Sequence, residues 1–394
     1  MSNQDHKNTE PLPQPKKGSL GGNIYGAHNV EVERQNPDML TPPDTDSGTM
    51  PSLKWPYALS HTRNEHGGWS REVTTRELPE STTIAGVNMH LEPGGVRELH
   101  WHKEAEWALM IKGSARVTAI DPEGNMFVDD VEEGGVWNFP SGIPHSIKGL
   151  ENGAEFLLVF DDGSFSENST FTITDWFAHT PKEALAKNFG VSEDYFDNFP
   201  KGEKYIYQGD VPGPLIEDLP KEQNESVTPP YTSRFDKGKK VDVKGGSARI
   251  LDSTNFKKSF TIAAALVEVE PGGIRELHWH PNAAEWQYYL EGQGRMSVFA
   301  SAGKARTYDY QAGDVGYVPF AMGHYIENTG DTTLKFLEMF RSDHFAEISL
   351  SQWMSQTPPY LLKEHLPVDD EFINNHLHSE TRPVLNWNKN KKAD

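Results

Sequence analysis

One hexapeptide occurs twice in this chain. Arg97-Glu98-Leu99-His100-Trp101-His102 returns letter for letter as Arg275-Glu276-Leu277-His278-Trp279-His280, 178 positions later. Thr83-Ile84-Ala85 and Pro93-Gly94-Gly95 recur at the same offset as Thr261-Ile262-Ala263 and Pro271-Gly272-Gly273. Downstream, Trp176 with Thr180-Pro181 is echoed by Trp353 with Thr357-Pro358. A match running through most of each half marks a duplicated domain, so whatever one half folds into, the other must also be able to form.

Each half reads as short strands separated by turns. Val87-Asn88-Met89-His90-Leu91 and Leu266-Val267-Glu268-Val269 alternate, or nearly so, and run into Pro-Gly-Gly. Arg116 to Ile120 leads into Asp121-Pro122-Glu123-Gly124, a hairpin turn by composition. Many short strands of this kind predict a barrel or sandwich. A helix closes each half. In the first, Thr180 is placed as its N-cap and Pro181 as its first residue, with Glu183 completing a capping box and Gly190 ending it. Residues 1–55, polar and Pro-rich, are expected to form an extended arm. Residues 56–232 and 233–394 are then the two domains, with the connection between them inside 201–247.

The chain has 394 residues, no cysteine and a net charge of −21. Without thiolates, a metal site has only imidazole, carboxylate and water to draw on. The acidic excess argues against nucleic acid as a partner, because phosphate binding needs clustered Lys and Arg. No apolar run approaches the roughly 20 residues of a membrane span. The first twenty residues hold no apolar stretch like a secretory leader, so the cytoplasm is the expected location. A buried Arg can still create a local positive field for a small anion inside an acidic protein.

The first half offers His100, His102 and Glu106, then His145 well downstream. Residues two apart on a strand share a face, so His100 and His102 point the same way. Three imidazoles and a carboxylate make a mixed nitrogen–oxygen site suited to Mn, Fe, Co, Ni or Zn, with coordination positions left open. The second half repeats the set with His278, His280, Glu285 and His324. One His-X-His pair would be unremarkable; the full set in both repeats predicts two metal sites.

These residues fit both motifs of the cupins. In the first half they are Gly94, His100, His102, Glu106 and Gly113, then Gly134, Pro140, Gly142 and His145. In the second they are Gly272, His278, His280, Glu285 and Gly292, then Gly313, Pro319, His324 and Asn328. There are two departures: Gly149 stands where the motif ends in Asn, and Ala321 stands where it has Gly after Pro. Within the cupins, the chain resembles the bacterial oxalate decarboxylases from about residue 30 to 365. Besides the hexapeptide, the resemblance rests on Asp161-Asp162-Gly163-Ser164-Phe165-Ser166-Glu167-Asn168-Ser169-Thr170 and on Val315-Gly316-Tyr317-Val318-Pro319-Phe320-Ala321-Met322-Gly323-His324.

The resemblance implies an all-β fold of two cupin barrels (double-stranded β-helix, or jelly roll), each followed by a short helical segment. It implies manganese in both barrels and conversion of oxalate to formate and CO2, with dioxygen as an unconsumed partner. Ser166, Glu167, Asn168 and Ser169 become a mobile lid with Glu167 as proton donor, and Arg97 binds the substrate carboxylate. In the second half Arg275 repeats Arg97, and Glu338 is the pocket acid, with Arg275 as its simplest ion-pair partner. Phe345 replaces a family Tyr, which points to a supporting role for that site. The resemblance further implies a hexamer of two trimers, Trp101 and Trp279 stacked across a subunit boundary, and spore association in similar proteins. Two alternatives carry their own marks. An oxalate oxidase, giving peroxide and CO2, would lack the poised acid, and a storage-type bicupin would have lost the ligands.

Overall fold

The computed structural model describes residues 12–219 and 229–386. Residues 1–11 of the expected arm, 220–228 of the expected connection and 387–394 lie outside the described residues.

The strands assemble into two antiparallel barrels, as the duplicated pattern requires. In the first, Glu106–Ile120 and His145–Phe160 form the spine. His145–Phe160 pairs with Ala85–Leu91 through its second half and with Gly95–Trp101 through its first. It therefore belongs to both walls of the barrel. The hairpin at Asp121 closes as expected, with the Gly124 N–H donating to the Asp121 carbonyl. In the second barrel, Ala263–Val269, Leu334–Phe340, Glu285–Glu291 and Asp314–Val318 form one wall; Gly273–Trp279, Gly323–Asn328 and Gln293–Ala300 form the other. Leu109, Leu157 and Val159 of the first barrel share one apolar core with Trp286, Tyr288 and Leu337 of the second.

Chain order does not respect the barrels. Lys54–Pro56, at the end of the expected arm, adds an edge strand to the second barrel beside Asp314–Val318. There the buried Lys54 ammonium lies 3.1 Å from Asp314. Farther along, Thr232–Arg234 pairs back onto Gly135–Phe139 of the first barrel. Each half thus lends the other a strand.

The helix predicted after the first barrel runs Lys182–Phe189 and stops at Gly190 in the left-handed conformation, as expected. Its start is corrected by one residue. Pro181 is the cap and makes no side-chain bond, while the Thr180 hydroxyl donates to the Trp176 carbonyl of the preceding helix at 2.7 Å. The capping box therefore does not form.

Both motif departures have local reasons. At Gly149, any β-carbon would come within 2.4 Å of the Glu92 carbonyl oxygen, leaving no room for Asn. The counterpart Asn328 holds its turn by donating to the carbonyls of Val269 and Thr332, each at 2.8 Å. Ala321 adopts φ 61°, where the first barrel has Gly142 at 76°. A left-handed alanine is strained, and the second barrel carries that strain.

Candidate metal centres and a buried arginine

In both barrels the four predicted ligands converge. The donor atoms of His100, His102, Glu106 and His145 lie within 4.8 Å of one another, as do those of His278, His280, Glu285 and His324, and all eight residues are buried. In the first barrel each ring is fixed by a backbone carbonyl at Nδ1: His100 to Glu98 at 2.6 Å, His102 to Glu104 at 2.7 Å, His145 to Ile143 at 2.8 Å. This turns every Nε2 inward. Glu106 is oriented from outside by Trp137, whose indole N–H donates at 2.8 Å; Gln287 does the same for Glu285 at 2.7 Å. Neither helper was singled out by sequence reasoning, although both lie on the ligand strand or on the strand paired beside it.

The electrostatics fit a cation. Burial holds the His100 and His278 imidazoles well below their ordinary pKa, and the adjacent Arg97 and Arg275 push the same way. These rings are neutral ligands at pH 7. Burial alone would raise Glu106 and Glu285, but the neighbouring His145 and His324 rings and the bonds from His102 and His280 outweigh it, keeping both carboxylates ionised. Nε2 of His278 has no hydrogen-bond partner, and Nε2 of His280 and of His324 both crowd the one oxygen Oε2 of Glu285, at 3.0 and 2.8 Å. Buried polar atoms are rarely left bare, and a divalent ion accounts for all of them. Manganese fits a donor set of imidazole and carboxylate.

A β-bulge sets what else faces the centre. His145 pairs with His100, but Ile147 pairs with Arg97, so the hexapeptide strand holds one extra residue between them. The same slip separates Arg275 from His278. Regular alternation would put Arg97 and His100 on opposite faces. The bulge turns both inward, and Leu99 is left half exposed.

From here the barrels diverge. Arg97 is buried and contacts one carboxylate among the described residues, Glu167 at 3.1 Å. Its guanidinium also lies 4.5 Å from the centre of the Tyr205 ring. Glu167 opens a single 3-10 turn, Glu167–Ser169, whose Ser166 cap accepts the Asn168 N–H at 3.3 Å. Arg275 instead donates to Glu338 at 2.9 Å, as predicted, and also to Glu347, which sequence reasoning missed. Phe345 stands 5.7 Å from the His280 ring, where a hydroxyl was expected to be lost. Glu98, next to Arg97 in the chain, is used elsewhere: it accepts the N–H groups of Lys204 and Tyr205 at 2.6 and 2.8 Å.

Comparison with known proteins agrees with this architecture. The cupin family model matches twice, over residues 58–195 and 233–374. The chain belongs to the cupin family. This two-barrel cupin is 56% identical to the oxalate decarboxylase OxdC of Bacillus subtilis over 96% of its own length and 98% of the relative's. It is 40% identical to a probable oxalate decarboxylase of the fungus Arthroderma benhamiae, across 92% of this chain and 90% of that one. A solved structure of the Bacillus subtilis enzyme, studied for its Mn(II) centres, superposes with a TM-score of 0.93 at 56% identity and covers 96% of this chain and 100% of that one.

Proposed function

We propose that this cupin is a carboxy-lyase that decarboxylates oxalate to formate and CO2 in its first barrel. Manganese would be held by His100, His102, Glu106 and His145, with a second ion on His278, His280, Glu285 and His324. One observation carries the reading. The first barrel keeps its buried guanidinium available behind a lid acid, whereas the second locks Arg275 between two fixed carboxylates.

The ion held in the first barrel would supply, with dioxygen as an unconsumed partner, a one-electron oxidation of the bound dianion that is reversed once CO2 has left. The chain's residues do the rest. Arg97 exchanges Glu167 for a substrate carboxylate and grips it through its planar fork. Glu167, freed of its ion pair, can then carry a proton. When the carbon–carbon bond breaks and CO2 leaves, Glu167 delivers its proton to the remaining carbon as the withdrawn electron returns, and the C–H bond of formate forms. Ser166 and Asn168 shape the turn that brings Glu167 in, and the closed lid keeps water out. In the second barrel, Arg275 and Glu338 neutralise each other, so that ion has a supporting role.

The decisive test is incubation of manganese-loaded protein with oxalate in air, with formate, CO2 and peroxide all quantified. Equal formate and CO2 with little peroxide is the expected result. Peroxide with two CO2 would mean an oxidase, and no turnover would reject the reading. Glu167→Ala should lower formate and raise peroxide. Self-association, with the hexamer implied by resemblance, is supported by exposed Leu99 and Leu277 on the ligand strands and exposed Trp176 and Trp353 on the helices after each barrel.

A further inference from the structure

We propose that Glu72 is a positioning residue for this site: it clasps the lid closed by holding the backbone N–H of Glu167. The inference rests on the reading of Glu167 as the lid acid.

The first N–H groups of any helical turn have no partner inside the turn. In Glu167–Ser169 the Ser166 hydroxyl serves Asn168, leaving the Glu167 N–H unserved by the lid itself. Glu167 is 5% exposed, so water is not a ready substitute. The Glu72 carboxylate accepts this N–H at 2.9 Å from a segment 95 residues away. Glu72 is well anchored. It sits on Gly68–Val73, which pairs along its whole length with Ala85–Leu91, and its other oxygen is bonded by Arg76. Glu167 is thus held at two points: its side chain by Arg97 on the inner side, its backbone by Glu72 on the outer.

A cavity of about 470 Å³ lies against this clasp, lined by Ser70, Glu72, Arg76, Glu167, Asn168 and Tyr205. The second barrel lacks the device. Glu72 pairs across the sheet with Val87, and its counterpart is Ile250, which pairs with Ala265. A clasp confined to the barrel with the mobile acid is what lid control requires.

The test compares manganese-loaded wild type, Glu72→Ala and Glu72→Gln. Hydrogen exchange over 163–170 reads the lid, and the formate-to-peroxide ratio from oxalate in air reads its consequence. Glu72→Ala should speed exchange of the Glu167 amide at least tenfold and lower the ratio severalfold, with metal content unchanged. Glu72→Gln keeps an acceptor oxygen and should stay within twofold of wild type on both. Unchanged exchange in Glu72→Ala overturns the clasp, and so does a Gln variant as fast as the Ala variant. A wild type that makes no formate would instead reject the proposed reaction, and exchange alone would then judge the clasp.

Discussion

Replacing Arg275 by Leu should damage the fold far more than replacing Arg97 by Leu, although the two residues occupy the same place in the repeat. Arg275 is fully buried, donates to Glu338 at 2.9 Å and to Glu347, and reaches the Pro383 carbonyl at 3.4 Å. Its loss strands two carboxylates whose side chains are 0% and 9% exposed. Removing one partner of a buried ion pair costs about 3–5 kcal/mol. For a domain of this size each kcal/mol moves Tm by roughly 2–4 °C, so the expected drop is about 6–20 °C. The sign with pH follows from Glu338, whose pKa burial raises even beside the guanidinium. Without that guanidinium it rises further. The folded state then binds protons that the unfolded state does not, so the penalty is greatest at neutral pH and shrinks toward about pH 4.3. Adding Glu338→Leu should recover much of the loss, because an apolar replacement of a buried pair is often neutral. Arg97→Leu should lose less than half as much, since its partner Glu167 can swing to solvent with the lid. Calorimetry of the metal-loaded variants checks all of this. If Arg275→Leu melts within about 2 °C of wild type, or if both single variants fall equally, the division into a locked and an available guanidinium is wrong.

Other outcomes follow from single sites. Stripping the metals should lower Tm: free ion at a hundredfold excess over Kd contributes about 2.7 kcal/mol, or about 5–11 °C, read by calorimetry before and after chelation. Ala321→Gly should relieve the left-handed strain at φ 61° and, after the entropy cost of glycine, stabilise by about 0.5–1 kcal/mol in urea unfolding. Asp38 is pushed up to about 6, first by burial and then by Asp309, with Lys54 opposing. A raised acid contributes stability that is lost as pH rises from about 3.9 to the folded value. Asp38→Asn should therefore gain on wild type between about pH 4 and 7 in urea midpoints; a pH-independent difference would reject this.

The metal ligands were legible because their chemistry is local. His100 and His102 sit two apart, Glu106 begins the next strand, His145 begins a later one, and duplication repeats the set. The Arg275–Glu338 pair was also legible, as an acid in an apolar strand needs a cation. What was hidden depends on contacts between distant segments. Neither Glu72 nor Glu347 belongs to a motif, and the role of each is decided by a partner 95 or 72 residues away. The strand exchange at Lys54–Pro56 was hidden too, because three residues carry no usable period. Helix Lys182–Phe189 was misplaced at its start because the Thr180 hydroxyl donates back to the Trp176 carbonyl instead of accepting an N–H ahead of it.

The extra residue between Arg97 and His100 also separates two tasks that alternation would otherwise force into conflict. A barrel that kept this spacing but lost the bulge, through one residue added opposite between His145 and Ile147, could still gather three imidazoles around an ion, yet its guanidinium would point into the outer wall. Inserting one residue between His145 and Ile147 should thus convert a pocket that grips an anion into one that merely stores a cation. In such folds, chemistry can be gained or discarded by a slip of one position without touching any ligand.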